Sequence, residues 1–223
     1  MPKPLIIFDV DGTLIGGESY DWAAFDDAFK AFSSFNFPSG FFDVVAEVTG
    51  QAIVRRALPD LDDQTISRAI KTISAGYAAR LAVDISAHPE AFDATPGAID
   101  LIGQLTAEGY TCAIATGDWF SSIEQKLNAA KIPWQGLPMA TCSDRLTRAE
   151  IISLAAERAG RPIPEAIYVG DGAWDLRATQ TLNIPFIGCG KNIDRLKAAG
   201  ARYAVPDLNP DRFFTVLTQL NQI

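Results

Sequence analysis

The sequence predicts a doubly wound α/β protein, a parallel sheet covered by helices on both faces, with an all-helical unit inserted near its start. Three observations predict it. From about residue 94 onward, short apolar runs alternate with amphipathic segments, the rhythm of parallel strands joined by helices. One further apolar run, at residues 5–8, stands alone ahead of a long stretch with helical periodicity and no convincing strand. Acids and hydroxyls fall just after several of the apolar runs, at the strand ends where such sheets bind ligands.

Residues 5–14, LIIFDVDGTL, begin as a strand and end in two carboxylates, Asp9 and Asp11. Side chains two apart share a face within a strand. At its twisted end both can converge on one point beyond the sheet, a natural seat for a divalent cation. Residues 12–17 are turn-rich and read as a small flap beside the acids. Trp22, Phe25, Phe29 and Phe32 then recur at helical spacing, as do Ile66, Ile70, Ile73, Tyr77 and Leu81. Between them lie residues 41–48 and 53–58, broken by Pro38-Ser39-Gly40 and by Gly50. The aromatic series reads as the core of the insert.

The return from the insert comes at Thr95-Pro96-Gly97. Ala98, Leu101, Ile102 and Leu105 make a helix face that Gly109 can terminate, and residues 110–115 form a buried strand. A helix carrying Ile123 and Leu127 follows, then a short strand at 138–142 and a helix at 147–159 whose Thr147/Glu150 pair forms a capping box. Residues 166–170, 185–188 and 201–205 are strands, with a helix at 176–182 and a last one begun by Asn209-Pro210 and carrying Phe213, Leu217 and Leu220. The expected division is residues 1–17 and 94–223 for the α/β unit and 18–93 for the helical one.

Composition narrows the function. With 19 basic against 27 acidic residues the net charge is −8, and no basic cluster stands out, so nucleic acid is not an expected partner. No apolar run is long enough to cross a bilayer, and MPKPLII does not read as a secretory leader. Cys112, Cys142 and Cys189 are odd in number and unpatterned, as expected of free thiols in the cytoplasm. His88 is the only histidine, which removes His-based zinc sites and disfavours a Ser-His-Asp triad. Carboxylates are left to carry the chemistry.

An EF-hand reading of residues 9–20 fails, because the sixth position is Leu14 and the twelfth is Tyr20. Asp171, with carboxylate or carbonyl oxygens from the first strand end, matches the way Mg²⁺ is usually held. Thr116-Gly117 offers a hydroxyl and backbone N–H groups ahead of a helix, suited to a phosphate oxygen, although taken alone it reads better as an ordinary helix start. In Gly170-Asp171-Gly172-Ala173-Trp174-Asp175 the second acid sits four beyond the first, either as an acceptor behind Asp171 or as a charge that favours a helix N-terminus.

These four signals, in this order and each after a strand, resemble the haloacid dehalogenase superfamily along the whole chain. Asp9-Val10-Asp11-Gly12-Thr13 is similar to its first motif, Thr116 to its second, a basic residue near Thr147 to its third, and residues 170–175 to its fourth. The insert looks like that superfamily's C1 cap, as in phosphatases of the phosphoglycolate phosphatase type, on a Rossmann-like core.

The resemblance implies a Mg²⁺-dependent phosphatase of a small phosphorylated metabolite. Asp9 would be the nucleophile that becomes an aspartyl-phosphate, and Asp11 the acid and base. Thr116, Gly117 and Arg148 would hold phosphate; the metal shell would be Asp9, the Asp11 backbone carbonyl and Asp171, oriented by Asp175. The third motif departs from the pattern, since Arg148 stands where relatives usually carry Lys, and Lys126 and Arg145 are alternatives. Gly50, Gln51 and Arg55 look like the cap segment that faces the site. A dehalogenase is disfavoured because it needs no residue like Asp11, and a phosphonate hydrolase would want a cap lysine where only Lys30 and Lys71 occur. A phosphomutase, or a protein that binds phosphate without catalysis, retains the same residues.

Overall fold

The computed structural model describes residues 3–220, without the side chains of Asp43 and Val44. In chain order it comprises β1 (Leu5–Phe8), α1 (Glu18–Phe32), α2 (Phe41–Val44), α3 (Gly50–Ala57) and α4 (Asp63–Ala87). Next come α5 (Ala98–Ala107), β2 (Thr111–Ala115), α6 (Phe120–Ala129), β3 (Met139–Ala140) and α7 (Arg148–Arg158). The chain ends with β4 (Ala166–Gly170), α8 (Ala173–Leu182), β5 (Phe186–Cys189), α9 (Ile193–Ala198), β6 (Tyr203–Val205) and α10 (Pro210–Leu220).

The six strands pair in parallel, in the order β3-β2-β1-β4-β5-β6. The chain builds outward from β1 to β3, then returns to β1's other side for β4, so the order reverses beside β1 and a crevice opens at the strands' carboxyl ends. Every residue of β1 is fully buried because both sheet faces are covered. Leu5 and Ile7 join the core under α7 and α8, while Ile6 and Phe8 join the core with α5, α6 and α10. That alternation is the period of two expected of a strand.

Among the described residues no strand occurs between 18 and 93. The helices α1 and α4 of this cap pack together through Phe25, Ala28 and Phe29 against Ala69, Ile73 and Tyr77. Phe25 and Phe29 join Phe35, Phe37 and Phe41 in a chain of ring contacts with centroids 4.8–6.4 Å apart. Asp62 starts α4 by accepting the Thr65 N–H at 2.8 Å. The two segments joining cap to core run side by side, Gly16 N–H donating to Asp93 O at 3.1 Å and Thr95 N–H to Leu14 O at 2.9 Å.

Some elements differ from expectation. The first strand stops at Phe8, and residues 10–15 fold back as a tight turn, with Gly12 N–H on Ile15 O and Leu14 N–H on Val10 O. The strand at 138–142 is only two residues long, and α8 starts at Ala173. The helix α9 was not anticipated: it is six residues long and buries only Leu196, too little to leave a periodic trace. All three cysteines are buried free thiols. No described helix is long and apolar enough to cross a membrane.

Candidate active site

Three adjacent strands deliver the polar residues to one edge. Asp9 and Asp11 follow β1, Thr116 to Asp118 follow β2, and Asp171 follows β4. With cap residues they line a cleft of about 170 Å³.

Asp9 is 3% exposed, and its Oδ1 accepts Arg148 Nη1 at 2.9 Å. Arg148 is the first residue of α7, behind the Thr147 cap that accepts the Glu150 N–H, so the helix start fixes where the guanidinium leaves the backbone. Its Nη2 donates to Val48 O at 3.1 Å, its own N–H to Glu47 Oε2 at 3.0 Å, and its Nε lies 3.4 Å from Asp175 Oδ1. Gly117 is required here, because a Cβ on it would fall 2.7 Å from Arg148 Nη2 and from Val48 O. Asp175 Oδ2 accepts the Gly172 N–H at 3.0 Å, and the Tyr168 hydroxyl lies 3.4 Å from Oδ1. Asp175 therefore spends both oxygens on protein partners. Asp171 accepts no hydrogen bond from the described residues.

Carboxylate oxygens of Asp9, Asp171 and Asp175 lie within 4.8 Å of one another. Burial raises all three acids' pKa values, Asp175 to about 7 and Asp171 well above its ordinary value. Asp175 and Asp9 also push Asp171 up, and Asp9 pushes Asp175 up; Arg148 pulls all three down, Lys126 adds to that pull on Asp9, and the guanidinium's own pKa is raised because its acidic partners outweigh its burial. Three crowded carboxylates against one guanidinium leave an excess of negative charge that a divalent cation would relieve, and all the donors are the hard oxygens that Mg²⁺ takes. The fit extends to Gly12. Its φ is +74°, and a Cβ there would lie 2.3 Å from Asp171 Oδ2.

A second cluster looks similar but is filled. Asp11, Asp21 and Asp118 also converge within 4.8 Å, yet Lys126 Nζ lies 2.6, 2.6 and 2.7 Å from them. The lysine is fully buried, and it donates to Tyr77 Oη at 3.2 Å. Tyr77's hydroxyl bonds Asp21 and lies 2.9 Å from Asp118. This cluster holds an ammonium, not a metal. Burial, with Asp21 and Asp118 alongside, raises the Asp11 pKa well above its ordinary value against the pull of Lys126. Asp9 and Asp11 thus face separate cations.

The structure brings Asp9, Asp11, Thr116, Gly117, Arg148, Asp171 and Gly50 to the cleft wall, with Asp175 behind. Thr116 is 2% exposed, and its Oγ1 accepts the Asp118 N–H at 3.3 Å. Gly50 N–H donates to Gly117 O at 2.8 Å, Thr49 Oγ1 to Leu146 O at 2.7 Å, and Gln51 Nε2 to Cys142 O, so three hydrogen bonds join this cap segment to the core. Gln51 and Arg55 do not line the cleft; Arg55 is exposed with Nη1 3.8 Å from Asp63. Arg145 is exposed, on Asp144 O. Trp22 and Phe25, expected as cap core, form cleft wall as well. Asp21 escaped the sequence reading, Tyr77 entered it only as packing, Asp118 only as a strand-end residue without a role, and Lys126 only as a stand-in for Arg148. The available signal was a lysine on the buried face of α6, beside Ser122, Ile123 and Leu127.

A family model described as haloacid dehalogenase-like hydrolase matches residues 6–189. The probable phosphatase IndB of Dickeya dadantii is 28% identical over 210 residues, covering 88% of this chain and 86% of that protein. A hydrolase from Pseudomonas syringae superposes with a TM-score of 0.72 at 25% identity, covering 98% of each chain. A β-phosphoglucomutase from Clostridium difficile shares the fold at 16% identity, with a TM-score of 0.77 over 99% of this chain and 98% of that one.

Proposed function

Because the chain belongs to the haloacid dehalogenase-like hydrolases, whose family model spans most of it, we propose that it is a Mg²⁺-dependent phosphatase hydrolysing a small-molecule phosphomonoester through an aspartyl-phosphate on Asp9. The observation that carries this reading is the division between the two acids of the first motif. Asp9 faces Arg148 and the metal-fitting acids, while the Asp11 side chain turns to the cap and Lys126.

An Asp9 carboxylate oxygen attacks phosphorus and the ester P–O bond breaks. The leaving oxygen takes a proton from Asp11. Asp11, now ionised, removes a proton from water as that water attacks the phosphoryl group, which frees Asp9 and inorganic phosphate. Arg148, the Thr116 hydroxyl and the Gly117 N–H bind and orient the phosphoryl oxygens. Asp9, Asp171 and the Asp11 carbonyl would hold Mg²⁺, with Asp175 fixing the site; when bound, the cation supplies charge stabilisation to the phosphoryl oxygens.

We assign residues 18–93 as a cap domain that moves against a core of 1–17 and 94–223 about the paired segments at Gly16 and Asp93. The three buried free thiols, all in the core, accord with a cytoplasmic enzyme. The test is phosphate release from a panel of small phosphate esters, with and without Mg²⁺, for the native protein and Asp9→Asn. Metal-dependent release lost in Asp9→Asn is expected. Absence of turnover on every ester, with metal still bound, would leave a phosphate-binding protein, and transfer between two substrate positions without net release would assign a mutase.

A further inference from the structure

We propose that the substrate is the phosphomonoester of a small uncharged alcohol with an apolar or aromatic face, and that esters carrying a second anionic group are disfavoured; the inference rests on the phosphatase reading above. Asp11 must reach the leaving oxygen, so its position sets the leaving group's direction. That direction is toward the cap, where Asp11 sits with Asp21 and Tyr77 around Lys126.

The cleft wall there is apolar. Trp22, Phe25, Phe42 and Ile53 come from the cap, and Trp119 and Trp174 from the core. Phe25 and Trp119 stack at 5.9 Å with their planes 18° apart. Among the described residues, the cap places no lysine or arginine in this wall. Lys30 pairs with Asp26, Arg55 with Asp63, and Arg80 with Asp84 and Asp27, all elsewhere.

A second anion would also meet the wrong field. Lys126 is already matched by three carboxylates, so another negative group beside Asp21 and Asp118 lacks a counterion and must still be desolvated. A neutral leaving group meets no such penalty. The volume of about 170 Å³ limits its size.

Basic residues do line a neighbouring depression, through Arg177 and Arg195, and it shares Phe42, Asp171 and Trp174 with the cleft. Neither Asp9 nor Asp11 lines it, so it is not where the leaving oxygen is protonated.

The experiment compares kcat/KM of the native protein for phenyl phosphate, phosphoglycolate and ribose 1,5-bisphosphate, and equilibrium binding of the three to Asp9→Asn by tryptophan fluorescence. Phenyl phosphate is expected to lead the two anionic esters by about tenfold or more in both measurements. Trp22→Lys, which adds a cap cation, should narrow that gap. Equal or better use of the anionic esters overturns the proposal, and if Arg177→Ala then removes their advantage, the second anion belongs in the neighbouring depression. Should no ester turn over, the phosphatase reading falls, while the binding order to Asp9→Asn still decides the preference.

Discussion

Lys126 Nζ lies 2.6 Å from Asp11 Oδ1, on the acid of the first motif that Arg148 does not touch. The lysine comes from the core helix α6, and two of its other partners, Asp21 and Tyr77, come from the cap. The group assigned to proton transfer therefore sits in a cluster that joins cap and core through Lys126.

Lys126→Met leaves Asp11, Asp21 and Asp118 clustered without their shared cation. A destabilisation of about 3–5 kcal/mol is expected by urea unfolding, since removing one partner leaves buried charge uncompensated. Turnover should fall more through kcat than through KM, because Asp11 loses its position and not the phosphate site. A loss confined to KM would count against this role.

Arg148→Ala should reduce kcat by about a hundredfold or more, given the cost of losing one well-placed charge-stabilising donor. Arg148→Lys keeps the charge but not the fork that joins Asp9 to Val48 O, so partial recovery is expected. Steady-state kinetics of both variants, with Arg145→Ala as the exposed comparison, check it. Full activity in Arg148→Ala would reassign the third motif.

Gly12→Ala meets two obstacles, a positive φ and a Cβ 2.3 Å from Asp171 Oδ2. The backbone conformation alone costs about 1–3 kcal/mol for a residue with a Cβ. Displacement of Asp171 should also weaken divalent-cation binding. Isothermal titration with Mg²⁺ reads this directly, and unchanged affinity would remove Asp171 from the metal shell.

The Thr147 backbone N–H and hydroxyl lower the Glu150 pKa below its ordinary 4.5. A carboxylate whose folded pKa is depressed stabilises the fold above its unfolded pKa, and this contribution disappears as pH falls through the folded value. Thr147→Ala should cost about 1 kcal/mol near neutral pH through the lost cap. It should also flatten the acid side of the stability profile below pH 4.5. Thermal melts from pH 3 to 7 test both.

How much was legible in the sequence depends on the range of the interaction. Strand and helix order followed from periodicity, and Asp9, Asp11, Thr116 and Asp171 stood out because each ends an apolar run. Lys126 did not, because a lysine at helical spacing reads as a solvated side chain until three acids from other elements surround it. Tyr77 was counted as packing for the same reason; its ring does pack against Phe25, with centroids 6.1 Å apart, but its hydroxyl reaches the acids.

The sequence by itself determined the α/β architecture with its helical insert, and which oxygen-bearing residues stand at the strand ends, since hydrophobic period and turn chemistry are local properties of the chain. Only the tertiary structure decided which cation faces which carboxylate, and that the cap side of the cleft wall carries aromatic rings and no described lysine or arginine. Arg148 and Asp9 are 139 residues apart, and Lys126 and Asp11 are 115 apart. Pairings over such distances follow from strand order and from the docking of cap on core, and leave no trace in local spacing.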